Sequence, residues 1–295
     1  MARATETGPV DGSERTAFAR GAHQARYAPS PGPTTPTPSS GVVATMRAMA
    51  AYGPSTYGDQ IADFYDEFVS LVFPSSTTEQ AVAFLAELAG DGPALELGIG
   101  TGRIALPLAE RGVAVTGVDA SEAMVARLRR RPGGSAIPVM LGDFADLAVD
   151  GRFRVVYVVF TTFFALLTQE AQVRCFRRVA EHLTDDGVFV IEAFVPDPTL
   201  YTRGQRVAAR HIEPGRLLLD VGRHDPVTQR VSAQQVIIEP TGIRMLPVEL
   251  RYAWPSELDL MAELAGLRLR ERFANWQREP FGAASAGHVS VYGRP

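Results

Sequence analysis

The sequence predicts an α/β fold: a mostly parallel sheet with helices on both faces and an antiparallel β patch inserted after the fifth strand. Three observations predict it. Short apolar runs at 94–97, 113–118, 137–141, 155–160 and 188–194 alternate with segments of helical periodicity, as in βαβ units whose strands are buried on both faces. The first run passes directly into Gly98, Gly100 and Gly102, where the backbone can turn sharply and a ligand can lie against it. After 194 the rhythm changes. Four β-like runs at 205–212, 216–223, 229–238 and 243–252 follow one another, separated by turn residues such as Pro214-Gly215 and Asp225-Pro226.

The elements follow in order. Residues 1–50 are rich in Ala, Thr, Ser, Pro and Gly and bury too little apolar surface to offset chain entropy, so they read as a disordered or adaptable tail. Their end, 42–52, reads as a linker or as a helix formed against a partner subunit. Residues 59–72 carry Ile61, Phe64, Tyr65, Phe68 and Val72 at helical spacing, and 78–88 form a second helix ending at Gly90. A helix at 103–111 contains Pro107, which predicts a kink. Ser121 caps a helix at 121–131, and another spans 169–183. Ser256 and Asp259 resemble a capping box that starts a helix through Ala265. Runs at 267–273 and 288–292 complete the sheet as a hairpin and bring its strands to seven. The division is therefore a tail (1–50), a core with N-terminal helices (51–198), an inserted cover or dimer element (199–254) and the C-terminal part of the core (255–295).

Composition narrows the function. With 295 residues, 46% of them hydrophobic and 21% charged, the chain can bury a sizeable core. No apolar run approaches a membrane span, and the single cysteine, Cys175, fits a reducing cytoplasm. All 29 basic side chains are arginine. With abundant Ala, Gly and Pro this is the mark of a GC-rich, bacterial genome. It also excludes a pyridoxal Schiff base and a Walker-type lysine. A net charge of −4 gives no general attraction to nucleic acid. Arg127, Arg129, Arg130 and Arg131 cluster where a helix should end and read as a solvated terminus. The histidines are scattered without metal-ligand spacing, so no metal is expected.

The glycine turn and the end of the second strand carry the chemistry. Asp119 stands about twenty residues beyond the turn, where nucleotide-binding α/β units place the carboxylate that holds a ribose. The dinucleotide fingerprint requires a third glycine where this chain has Arg103. Glu96, two residues before Gly98, would repel a diphosphate and attract a cation such as a sulfonium. These residues resemble the class I, Rossmann-like S-adenosylmethionine-dependent methyltransferases, whose first motif is an acidic residue, one spacer and Gly-x-Gly-x-Gly. The order of strands and the insertion are similar to the small-molecule branch, in particular the bacterial amino-sugar N,N-dimethyltransferases.

The resemblance implies S-adenosyl-L-methionine as cofactor and assigns its contacts. Glu96, Gly98, Gly100, Gly102 and Arg103 would wall the methionine part. Asp119 would accept the ribose hydroxyls, and Ala120 and Met124 would flank the adenine. Gly142, Asp143 and Phe144 would take the adenine edge, through the Asp143 carboxylate and the Phe144 amide. Phe160 and Thr161 would meet cofactor and acceptor together. Tyr57, on a stretch that resembles the family's N-terminal helix, would approach the sulfonium as orienter or weak base, with Tyr65 nearby. Core packing is the plain alternative for Met124, Tyr57 and Tyr65.

One departure is informative. Relatives acting on sugar amines place a histidine a few positions past Phe160, where this chain has Ala165 among Phe163, Phe164, Leu166 and Leu167. The expected acceptor pocket, lined by Thr161, Phe163, Phe164 and Ala165, is therefore apolar and suits O-, N- or C-methylation of a small hydrophobic secondary metabolite. A buried helical turn has the same composition. The Pro-Pro-aromatic motif of nucleic-acid amino methyltransferases is absent. A small-molecule acceptor is expected, without nucleic acid or membrane, and a homo-oligomer is left open. The competing readings are an NAD(P)-dependent oxidoreductase and a binding or assembly module without activity.

Overall fold

The computed structural model describes residues 52–72 and 75–295. The expected tail, and the 42–52 segment except Tyr52, lie outside the described residues. β1 (Ala94–Leu97) is buried at all four positions and pairs in parallel with β2 (Val115–Asp119) and β4 (Phe153–Val158). β3 (Val139–Leu141) continues beside β2, and β5 (Leu183–Phe194) beside β4. β10 (Arg268–Phe273) and β11 (Gly287–Gly293) add antiparallel strands on the far side, giving the order β10-β11-β5-β4-β1-β2-β3. The strand order reverses between β1 and β4. In such sheets the crevice beyond the carboxyl ends at that point receives the ligand.

Alternation along the strands sorts the core onto two faces. Leu95, Leu97, Val156, Val158, Phe189 and Ile191 point to one side, packing with α6 (Gln169–His182) and α7 (Pro255–Leu264). Ala94, Val155, Tyr157, Val188 and Val190 point to the other, toward α3 (Ser75–Ala89) and α4 (Ala105–Glu110). Each large aliphatic side chain fully buried here contributes about 1.5–3 kcal/mol. α5 (Glu122–Arg130) follows β2, and Ser121 caps it as expected, its hydroxyl accepting the Met124 amide at 3.2 Å.

Between β5 and α7 the chain forms a separate antiparallel sheet in the order β6-β7-β8-β9, comprising β6 (Gln205–Glu213), β7 (Arg216–Asp225), β8 (Arg230–Glu239) and β9 (Gly242–Arg251). Leu218, Ile237 and Leu246 of this sheet meet Ile61, Phe68 and Met124, so the N-terminal helices are held between the inserted sheet and α5.

Three local expectations are corrected. The single helix at 59–72 is broken into α1 (Thr56–Ile61), a 3₁₀ turn (Ala62–Phe64) and α2 (Tyr65–Val72). At the break, Arg127 takes both the carbonyl and the carboxylate of Asp63, competing with helical pairing of that carbonyl. The capping box does not form either. Pro255, with its φ already set for a helix, occupies the first helical position, Trp254 is the N-cap, and the Asp259 carboxylate pairs with Arg272 at 2.5 Å. Finally, the arginine cluster is not simply solvated. Arg127 and Arg131 bind Asp63 and Asp66 of the N-terminal helices, and Arg129 donates to the Gly134 and Ile137 carbonyls.

Candidate active site

The glycine turn leaves β1 with Gly98, Gly100 and Gly102 all at positive φ (75°, 56° and 80°). Gly100 matters most. A Cβ there would meet nothing within 4 Å, so its backbone faces open space, while its amide donates to Asp119 Oδ2 at 2.7 Å. The other oxygen of Asp119 accepts the Ser121 amide at 2.8 Å. The carboxylate at the tip of β2 thus fixes the turn after β1 and the start of α5 together. Burial raises the Asp119 pKa, while the amide bonds pull it back.

Gly117 was not singled out in the sequence. It lies opposite Glu96 in the β1–β2 ladder, and a Cβ there would fall 2.4 Å from Ile99 Cδ1. Its bareness lets Ile99 fold back under the turn. Sequence reading had one signal for it, a glycine inside a strand, which marks close approach.

Glu96 is 2% exposed and receives a hydrogen bond from the Tyr157 hydroxyl at 3.0 Å, across the ladder from its register partner on β4. Burial pushes its pKa up to about 8, against the Tyr157 bond and the Arg103 charge. Near neutrality burial therefore favours the protonated form of Glu96.

Arg103 supplies an internal cation. Its guanidinium lies 3.2 Å over the Phe160 ring and bonds to the Tyr65 hydroxyl, with Glu96 and Glu192 nearby. Burial nevertheless lowers its pKa. Phe160 and Thr161 follow β4 with φ of 55° and 67°, strained values for side chains of this bulk. The Phe160 amide donates to Glu192 Oε2 at 2.9 Å, and the Thr161 amide to the Glu192 carbonyl at 3.2 Å. Glu192 thus holds both residues in place.

The N-terminal helices close one side. Asp59 accepts the Ser121 hydroxyl at 2.6 Å and Asp66 accepts the Thr101 hydroxyl at 3.0 Å. Tyr57 and Tyr65 come together beneath them, and burial raises both phenols, so both stay neutral.

The structure brings Tyr57, Tyr65, Glu96, Arg103 and Asp119 into one electrostatic neighbourhood, with Phe160 stacked on it. Ala120 is half-buried beside Asp119, and Met124 packs against the N-terminal helices. Asp143 accepts the Ala145 amide at 2.8 Å and starts a 3₁₀ turn, after the half-buried Gly142. Phe144 is buried with the core. Phe163 and Phe164, expected to face the acceptor, are instead fully buried in ring contacts with Phe176 and Phe194. In the 3₁₀ turn Thr162–Ala165, Ala165 is exposed. The apolar run there serves the core, because a tight turn under the sheet needs that volume filled.

Among the described residues no cluster of His, Cys, Asp and Glu could hold a metal, and no helix is long and apolar enough to cross a membrane. Cys175 is buried on α6, where burial raises its thiol pKa.

The site fits an adenosyl donor: an open glycine backbone, a carboxylate at the tip of the neighbouring strand and a buried acid able to ionise beside a cation. Residues 94–187 match a family described as a methyltransferase domain. The CcbJ methyltransferase from Streptomyces caelestis is 42% identical with a TM-score of 0.78, the match covering 82% of this chain and 99% of that one. The chain belongs to the S-adenosylmethionine-dependent methyltransferases. The cypemycin N-terminal methyltransferase of a Streptomyces species is 28% identical over 82% of this methyltransferase and 98% of its own length. A dTDP-4-amino-2,3,4,6-tetradeoxy-D-glucose N,N-dimethyltransferase from Saccharopolyspora spinosa is 29% identical over 51% of this methyltransferase and 60% of its own length.

Proposed function

We propose that this methyltransferase transfers a methyl group to the nitrogen of an amine on a small or peptide-derived secondary metabolite. The observation that carries the reading is that each histidine among the described residues is already held by a partner, so none stands free to serve as a base. His182 bonds to backbone carbonyls at Arg178 and Val149, His224 to Tyr252 and His288 to Ser290, while His211 pairs with Glu213. Tyr57 and Tyr65 remain neutral. A phenol or carbon acid must lose a proton at the crevice to become a good nucleophile, whereas an α-amine, with a pKa of about 8, arrives partly neutral with its lone pair free and sheds its extra proton to solvent after transfer. The full-length cypemycin relative, named for N-terminal methylation, supports the same chemistry.

The residues divide the work. Glu96 would receive the donor's ammonium group, Asp119 its ribose hydroxyls, and Ala120, Met124, Gly142, Asp143 and Phe144 its adenine. The bound donor supplies a methyl group on cationic sulfur, a good leaving group, so the protein mainly aligns the partners and excludes water. Tyr57 would orient the acceptor nitrogen, with Phe160 and Thr161 forming the opposite wall. The inserted sheet, taken as residues 199–254, would cover the acceptor. The test is transfer from S-[methyl-³H]adenosylmethionine to an alanyl peptide amide, an amino sugar and a phenol of similar size. Label on nitrogen is expected; label confined to the phenolic oxygen would overturn the reading.

A further inference from the structure

The inner face of the four-stranded sheet is uneven. At one end Leu218, Ile237 and Leu246 pack with the N-terminal helices, and at the other His224 lies between the rings of Tyr201 and Tyr252. Between these ends stand two cross-strand pairs, Asp220 with Gln235 and Gly222 with Ala233, and Ala208 faces Asp220 from β6. Strand alternation puts them on the same face as Leu218 and His224. Glycine and alanine keep the side-chain volume of this middle low, and Asp220 and Gln235 are its polar groups.

Those polar groups have a direction. Asp220 is 22% exposed at its side chain, and its charge acts on Tyr57 from one side and Tyr201 from the other. Gln235 Oε1 is buried with no hydrogen-bond partner among the described residues. A buried acceptor left unpaired costs about 1–3 kcal/mol, so a donor belongs there. A carboxylate and an amide oxygen side by side are both acceptors, and together they suit the N–H groups of an amine. Two arginines stand close by. Arg210 reaches Asp220 Oδ2 at 3.5 Å from a position 43% exposed, and Arg206 bonds to the Tyr201 hydroxyl.

We propose that Asp220, with Gln235 beside it, is the acceptor-recognition site, receiving the amine's N–H groups and setting its nitrogen against Tyr57. The assignment rests on the N-methylation reading and adds the residues that select the amine.

Calorimetry on the full chain saturated with S-adenosylhomocysteine tests it, with benzylamine, benzyl alcohol and phenylacetate as probes. Benzylamine is expected to bind at least tenfold more tightly than the other two. Asp220→Asn should erase that preference while leaving S-adenosylhomocysteine affinity and Tm unchanged. Gln235→Leu, which removes the orphaned oxygen without touching a charge, should weaken benzylamine severalfold. Benzylamine binding indifferent to Asp220→Asn overturns the assignment and leaves N-methylation standing. A preference for phenylacetate overturns it in favour of Arg206 and Arg210, and a preference for benzyl alcohol overturns both readings.

Discussion

A proton on Glu96 links donor binding to pH. The side chain is buried beside Tyr157 and its pKa stands near 8, so at pH 6 to 7 it is largely neutral, and a bound ammonium group would drive the proton off. Donor affinity should therefore rise with pH from 6 to about 8 and then flatten, with proton release visible as buffer-dependent binding heats; affinity flat across that range would contradict the role. For the free protein the sign is opposite. A carboxyl whose folded pKa is raised contributes its stability at low pH and loses it as pH climbs through the folded value. Glu96→Gln should match the wild type in Tm at pH 4, below the ordinary carboxyl value, and exceed it at pH 9, while weakening S-adenosylhomocysteine about 10- to 100-fold, the scale of a lost charged hydrogen bond. A second prediction concerns Thr161, a β-branched residue at φ 67°. Thr161→Gly should stabilise the fold by about 1 kcal/mol, since strain of this kind costs 1–3 kcal/mol and glycine's extra chain entropy returns part of it. Turnover should fall as the wall beside Phe160 loosens; an unchanged or lower Tm would deny the strain.

Among the elements, the N-terminal helices are the mobile candidates, because short helices rely on their anchors rather than on their own propensity. Their ties to the donor crevice are Asp59 to Ser121, Asp63 to Arg127, and Asp66 to Thr101 and Arg131. Asp59→Ala should leave the sheet intact yet raise amide exchange across residues 56–69 and speed S-adenosylhomocysteine release severalfold. Exchange unchanged there would mean that Ile61 and Phe68, packed against Met124, hold the helices alone. The same contrast explains what could be read from the chain. Glu96, the glycine turn, Asp119 and the Ser121 cap lie within one βαβ unit, so local spacing exposed them. The arginine cluster looked like an ordinary helix end because the carboxylates that Arg127 and Arg131 bind lie about sixty residues earlier in sequence. Phe163 and Phe164 were misplaced for a related reason. An apolar run reads alike in a pocket and in a core, and only α6 and β5 closing over it decide between them.

At the scale of the molecule, one buried network couples the inserted sheet to the core. Arg251, at the end of β9 and 6% exposed, donates to Gln172 on α6 at 2.5 Å, and to Gln229 and Glu257 at 2.9 and 2.8 Å. Gln172 in turn donates to the Arg251 and Leu166 carbonyls. The network therefore joins α6, the turn below Phe164, the sheet that would cover the acceptor and the start of α7. Burial pushes the Glu257 carboxyl up, but hydrogen bonds from Arg251, Gln229 and Gln169 outweigh it and the net shift is down. A lowered carboxylate stabilises the fold above its unfolded pKa and loses that contribution as pH falls through its folded value, so the network should fail first in acid. Arg251→Ala strands Gln172 in the interior and leaves the half-buried Glu257 without its cation, and should cost about 1–3 kcal/mol, the range for a buried polar group left without its partner. Arg251→Met fills the volume without the charge, and Arg251→Met combined with Glu257→Leu removes both ions. If the network serves stability alone, the double variant should recover most of the lost Tm and most of the turnover. If it also fixes the cover over the crevice, Tm should return while acceptor turnover stays low and S-adenosylhomocysteine affinity stays normal. The second outcome is expected, because Asp220 and Tyr201 are positioned by the sheet that Arg251 anchors, whereas Glu96 and Asp119 belong to β1 and β2.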